Sequence, residues 1–428
     1  MPKRADLFSY RELEISADRM VGHYELDGRR FREEIIFSLD GSLDTAAGRL
    51  LAELWFLLAG LSYYKAGAAF VIDFGDHQVG PAARALMEAA VVDGLGEFAF
   101  RNQLDLRDVL YTGGTSGSHA HPHLDPTKVL TPFGGGIDSI VTVESLPANI
   151  GQRLFVVSPA SGSFAPLEAA AAVTGRGVAR ATRQLDPEIL KKDEKVFNGH
   201  VPVTAMVTLL AVIAAVAEGC GGVVMSNEHS ASIPNVVHEG GSVNHQWSKS
   251  DVAELLIADA VAERIGAEFI VASALRDRSE LWVAQRFAAL GQYHESFRSC
   301  NKAFAQEVSN RASHWCGVCD KCLFIALVLA PFIERSSLRE FLGCEPLSDP
   351  QLVGSLRTLV GLGHEKKPFE CVGDPDECGV ALREVATMSE WSDVPALAEI
   401  AHQLPRHPTL DDALTTQGAS RVPATWIF

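Results

Sequence analysis

The chain has 428 residues, 37 of them Lys or Arg and 54 Asp or Glu, for a formal net charge of −17. At about 150 residues per domain, that length allows two or three domains and at least one large core. A hydrophobic share of 47% beside 21% charged residues excludes a disordered chain. The acidic excess argues against nucleic acid as a partner, since backbone phosphates would be repelled. The longest apolar run, Ala205 to Ala217 with Thr208 inside it, is too short to cross a bilayer and suits a buried helix. No apolar stretch follows Lys3 and Arg4, so no signal peptide is expected. Eight cysteines are too sparse for a disulfide scaffold, and three of them form one tight cluster. The expected class is a cytoplasmic, multidomain globular protein without membrane insertion; the oligomeric state stays open.

In chain order, LEISADRM, HYELDGRRF and REEIIFSL read as extended, with Asp27-Gly28 as a hairpin turn. Leu50, Leu51, Leu54, Leu57 and Leu58 follow helical spacing from Ser42 to about Tyr64, with Ser42 or Asp44 as the expected cap. AAFVIDFG reads as a buried strand and PAARALMEAAVVDGLG as a helix. Residues 1–111 therefore form an N-terminal α+β domain without a nameable chemical motif, and TGGTSGSHAHPHLDP ends it. His119, His121 and His123 in that stretch read as linker rather than metal ligands. Strands at KVLTPF, RLFVVSPA, GVARATRQL, GGVVMSNE and AEFIVASAL then alternate with helices, which implies a doubly wound parallel sheet over 127–334. Ligands of such sheets gather beyond the carboxyl ends of the strands. Residues 335–428 read as a mainly helical C-terminal region.

Phe133-Gly134-Gly135-Gly136-Ile137-Asp138-Ser139 joins the first of these strands to its helix. Three glycines let the backbone approach an anion, point successive N–H groups at it and add the positive end of the helix. Asp138 suits a magnesium ion, and the Ser139 hydroxyl suits a phosphate. The absence of a following Lys excludes the Walker loop. A plain glycine-rich turn with a capping Asp is the bland alternative.

GGGIDS resembles the SGGxDS loop of the PP-loop, or N-type, ATP pyrophosphatases, with Gly134 where that family has its first serine. The segments NGHVPVTA (198–205), MSNEHSA (225–231) and CGVCDKC (316–322) follow in family order. Together with VNHQWSKS (243–250) and KPFECVG (367–373) they resemble, more narrowly, the MurL-type epimerases of UDP-N-acetylmuramoyl-L-alanyl-L-glutamate. The resemblance implies a PP-loop (HUP-like) α/β fold, ATP and Mg2+, and a UDP-linked muramoyl dipeptide as substrate. It implies pyrophosphate binding by Gly134, Gly135, Gly136, Asp138 and Ser139. Another PP-loop enzyme, similar to the cyano-deazaguanine synthases or the thiolases, is the runner-up; a nucleotide-binding module without turnover is the third reading.

The chemistry agrees with an ATP-cleaving epimerase. The α-proton of a glutamate with a free α-carboxylate is very hard to remove, because charge would form beside charge. Conversion of the carboxylate to an acyl-AMP anhydride removes that charge and lets the carbonyl accept the carbanion as an enolate. His245 and Lys249 are candidate bases, because burial and neighbours can tune both. Cys371 is a third candidate, as a thiolate, against the alternative of a small apolar loop residue. Glu228 is a fourth acid–base candidate. Asn198, His200, Asn227, Asn244, Gln246, Trp247 and Ser248 are candidate substrate contacts, with Ser250 as a plain helix cap in the bland reading. Lys366 and Lys367 suit a diphosphate or merely solvate a surface, and Lys191, Lys192 and Lys195 read as a solvated face. Cys316, Cys319 and Cys322, with Cys300 as fourth ligand, have spacing that closes a structural Zn2+ site. An iron–sulfur cluster and metal-free buried thiols are the alternatives.

Overall fold

The structure is a computed structural model that describes residues 2–191, 193–238, 241–305, 308–363 and 368–426. Lys192, Lys366 and Lys367 lie outside the described residues. The strands, in chain order, are β1 (Leu7–Ile15), β2 (Arg19–Leu26), β3 (Arg29–Ser38), β4 (Val71–Asp73), β5 (Leu110–Thr112) and β6 (Asp125–Pro132). They continue with β7 (Gly151–Pro159), β8 (Val178–Gln184), β9 (Cys220–Met225), the short β10 (Val236–His238) and β11 (Gly241–Val243), and β12 (Ile270–Ser273). Ten of them form one sheet in the order β12-β9-β6-β7-β8-β3-β2-β1-β4-β5, while β10 and β11 pair as a separate hairpin.

Five neighbouring strands, β12-β9-β6-β7-β8, run parallel. Alternation along them splits the core in two. Leu130, Phe155, Val223 and Val271 face helices Ala46–Ala59, Val203–Ala217 and Asp251–Ile265. Leu154 and Val156 face helices Ile137–Ser145, Glu280–Ala288 and Asp320–Leu329 on the opposite side. Coverage of both faces explains why β9 (CGGVVM) is buried along its whole length. The expected strand–helix alternation is therefore present, and the order within this half is that of a doubly wound sheet. From β6 the chain moves outward through β7 and β8, then returns to place β9 on the other side of β6. That reversal opens a crevice at the carboxyl ends of β6 and β9.

The N-terminal meander β1-β2-β3 is antiparallel and joins the parallel half where β3 pairs with β8. A buried ion pair between Arg183 Nε and Glu33 Oε1 at 2.5 Å fastens this seam. Asp27 and Gly28, both with positive φ, make the two-residue turn between β2 and β3 that their sequence predicts. Helix Ala46–Ala59 is capped by Thr45, which accepts from Gly48 N at 3.0 Å, rather than by Ser42 or Asp44. Ser42 Oγ instead accepts from Asp44 N, and Asp44 pairs with Arg49. Helices Arg335–Leu342, Val353–Leu359, Pro375–Thr387 and Pro395–Ala401 form the C-terminal region. Among the described residues no helix is long and apolar enough to cross a membrane.

Candidate active site

A cavity of about 450 Å3 opens beside the glycine turn, and loops that are distant in sequence meet there. Gly134, Asp138 and Ser139 line it from the turn, and Asn227 from the loop after β9. Lys249, Lys321 and Cys371 arrive from three further segments. Gly135 has φ +73°, and a Cβ there would lie 3.2 Å from Leu167 Cα. A Cβ at Gly136 would come within 2.8 Å of Ser299 Oγ. Helix Ile137–Ser145 begins at Gly136 with no side-chain cap, so its first N–H groups keep their capacity for an anion. Ser139 Oγ donates to Gly136 O at 3.0 Å.

Asp138 is pushed up to about 6 by burial and by Glu228, against the pull of Lys321 and Lys249. Asp138 Oδ1 and Glu228 Oε2 are both sealed from solvent without a hydrogen-bond partner. Two orphaned carboxylate oxygens beside a phosphate-type turn fit a hard cation such as magnesium, which would supply charge neutralisation there. Cys371 is raised by burial, but Lys249, a hydrogen bond with His245 and Lys321 bring its thiol down to about 6. The Lys249 ammonium is held well above its ordinary range, chiefly by Cys371, against burial and with help from Glu228 and Asp138. His245 is lowered by burial and raised to about 9 by its hydrogen bonds with Cys371 and Glu97. The site thus favours a thiolate among three cations, the form in which a cysteine acts as a base.

Of the residues singled out by sequence, the three glycines' turn, Asp138, Ser139, Asn227, Lys249 and Cys371 meet at the cavity, with Glu228 and His245 just behind. The others brace it. Asn244 Nδ2 donates to Ala231 O and its Oδ1 accepts from Gln246 N. Gln246 Nε2 donates to Val372 O at 3.3 Å, beside Cys371. Trp247 packs in the core, where a Cβ on Gly94 would touch its ring at 2.9 Å. Ser248 is buried, and Ser250 is the helix cap, accepting from Ala253 N. Asn198 accepts from Lys65 Nζ, and His200 packs against His245 with ring centroids 4.3 Å apart and the planes tilted by 41°. His119 Nδ1 lies 3.0 Å from the Glu263 carbonyl oxygen.

Two residues placed at or beside the cavity were not singled out from the sequence. Lys321, between two cysteines of CGVCDKC, bonds the Cys371 carbonyl and lines the cavity. Glu97, in helix Gly96–Asn102 of the N-terminal unit, lies 2.5 Å from His245 Nδ1. The four sulfurs of Cys300, Cys316, Cys319 and Cys322 lie within 4.8 Å of one another, with Cys319–Cys322 at 3.4 Å and Cys316–Cys322 at 3.6 Å. Thiolates around tetrahedral zinc stand about 3.8 Å apart, so this donor set fits that ion. Every cysteine is free of disulfide bonding.

Fold and cavity together define a mixed α/β protein with a large, mostly parallel central sheet and a cationic, thiol-bearing pocket at its switch point. Comparison with known proteins names the family: the MurL N-terminal domain matches residues 1–273 and the MurL C-terminal domain residues 296–415, and the chain belongs to the MurL family. Relatives named UDP-N-acetyl-alpha-D-muramoyl-L-alanyl-L-glutamate epimerase come from Salinispora tropica, a Micromonospora strain and Xanthomonas oryzae pv. oryzae. The first is 36% identical over 94% of this chain and 90% of its own length. The second is 35% identical over 98% and 97%, and the third 35% over 91% and 87%. No solved structure matches this chain.

Proposed function

We propose that this chain is an ATP-dependent epimerase that converts the terminal L-Glu of UDP-MurNAc-L-Ala-L-Glu to D-Glu in the cytoplasm. The observation that carries the reading is the placement of the Cys371 thiol, flanked by Lys249 and Lys321, in one cavity with the glycine turn and Asp138. The strand order and the turn after β6 support a PP-loop (HUP-like) fold for the parallel half. Gly134, Gly135, Gly136 and Ser139 hold the phosphates, and Asp138 with Glu228 would hold a magnesium ion, which would supply charge neutralisation there.

The glutamate α-carboxylate attacks the α-phosphate of ATP, forming the acyl-adenylate and releasing pyrophosphate. The Cys371 thiolate takes the Cα proton, and the C–H electron pair moves into an enolate whose oxygen is stabilised by the neighbouring ammonium groups. Lys249 returns a proton to Cα from the other face. Water then cleaves the anhydride to AMP and the D-glutamate carboxylate, and Cys371 and Lys249 recover their starting forms by exchange with solvent. The overall balance is dipeptide plus ATP plus water to epimer plus AMP plus pyrophosphate.

The test is incubation with UDP-MurNAc-L-Ala-L-Glu, ATP and magnesium in deuterated water. D-Glu carrying deuterium at Cα together with AMP is the expected result. AMP without inversion would move the substrate to another carboxylate or carbonyl. Absence of AMP, with an active control epimerase in the same buffer, would overturn the reading.

A further inference from the structure

We infer that Glu97, on helix Gly96–Asn102, positions His245 against Cys371, so that the proton-transfer site is complete only when that helix packs against the loop that carries His245. The inference rests on the reading of Cys371 as the base. Glu97 is only 6% exposed, and both its oxygens are committed: Oε2 to His245 Nδ1 at 2.5 Å and Oε1 to Arg101 Nε at 2.6 Å. With Nδ1 claimed by the Glu97 carboxylate, the ring's remaining hydrogen-bonding capacity is left for its other partner, the Cys371 thiol.

The backbone is fastened to the same end. His245 N donates to Asn235 Oδ1 at 2.8 Å, while Asn235 Nδ2 donates to Pro368 O at 2.8 Å. Gln246 Nε2 donates to Val372 O on the far side of Cys371. Three hydrogen bonds thus lock the His245 segment to the Cys371 segment, and Glu97 sets the ring within that frame. His200 covers the imidazole and is lowered by burial to about 4, so it stays neutral and does not compete for the carboxylate as a cation. The groups facing Cys371 are Lys249, His245, Lys321 and Asp138; those facing His245 are Cys371, Glu97 and His200. Carboxylate, imidazole and thiol in series are the arrangement by which a neighbouring carboxylate keeps an imidazole protonated and aimed at a nucleophile or base. Glu97 and His245 do not line the cavity, so they are positioning residues.

The experiment follows alkylation of Cys371 by iodoacetamide across pH, read on its own peptide by mass spectrometry, in full-length wild type, Glu97→Gln, His245→Asn and Cys371→Ser. The midpoint is expected to be displaced upward from that of wild type by about one pH unit or more in Glu97→Gln and in His245→Asn. The kcat of epimerisation falls about a hundredfold in both, while KM for ATP changes less than about threefold. An unaltered alkylation profile and kcat in Glu97→Gln would overturn the inference. If that variant does not fold, an unaltered profile in His245→Asn would do the same. Full epimerisation by Cys371→Ser would instead remove the base reading and leave Glu97 without this role. A second zinc, beyond the one of the four-cysteine site, bound in wild type and lost in Glu97→Gln would make Glu97, His200 and His245 a metal site and also overturn it.

Discussion

The guanidinium of Arg276 lies 2.9 Å from the carboxylate of Glu254, with both side chains 3% exposed. From this buried pair Arg276 donates to two backbone carbonyls, Lys249 O at 2.7 Å and Glu228 O at 3.1 Å. One side chain therefore holds the two loops that carry Glu228 and Lys249 to the cavity. Arg276→Ala strands Glu254, partly relieved by Arg421 at 3.2 Å, and is expected to cost about 3–5 kcal/mol in denaturant unfolding. Arg276→Lys keeps the charge but lacks the planar fork for both carbonyls. It is expected to fold and to lose about tenfold in kcat; unchanged kcat would show that the loops hold themselves.

Two adjacent glycines of the turn have opposite tolerance. Gly135 combines φ +73° with Leu167 Cα at 3.2 Å, so Gly135→Ala is expected to cost about 1–2 kcal/mol and to abolish detectable ATP binding in calorimetry. A Cβ at Gly134 meets nothing within 4 Å and φ there is not positive, so Gly134→Ser is expected to be neutral in stability. On the proposed reading the hydroxyl it adds is one more donor to the phosphates, and ATP affinity should rise. Weaker binding by Gly134→Ser would place the phosphates elsewhere.

The turn itself was legible because its signal is local: three glycines between an apolar strand and a helix. The same holds for Asp27-Gly28 and for the strand–helix rhythm from β6 to β12. Glu97 was not legible, because its partner lies 148 residues away and its own helix reads as apolar spacing around one carboxylate. Arg276 and Glu254 likewise meet only through the packing of β12 against its neighbouring helix. Lys321 was hidden by stronger neighbours: the cysteines on either side direct attention to a metal, while the lysine between them points to the cavity. VNHQWSKS carries an opposite lesson. Its polar composition suggests ligand contacts, yet Asn244 and Gln246 bond neighbouring backbone and Trp247 fills the core.

Glu377 offers a pH test of the buried acid cluster. Burial pushes its carboxyl from 4.5 up to about 8, with Asp374 and Glu228 adding to the rise. A folded-state value above the unfolded one gives stability that is present below about 4.5 and is lost as pH rises toward about 8. Glu377→Gln keeps an acceptor for Leu281 N, which Glu377 Oε2 now receives at 3.3 Å, and has no proton to lose. The variant's thermal midpoint minus that of wild type should therefore grow steadily as pH increases from 4.5 to 8. A constant difference across that range would mean that Glu377 ionises normally in the fold.

The four cysteines connect to the cavity on two sides, which makes a metal there consequential for nucleotide binding. Arg298, Ser299 and Asn301 flank Cys300 and line the cavity, and Lys321 sits between Cys319 and Cys322. A zinc ion gathering the four sulfurs would fix both segments at once. Purified protein is expected to contain one zinc per chain by elemental analysis, and Cys319→Ser to contain none. ATP affinity in that variant should fall about tenfold, because the segments bearing Arg298 and Lys321 lose their common anchor. Iron with visible absorbance would replace zinc by a cluster. Metal-free protein with full ATP affinity would leave the thiols as ordinary core residues.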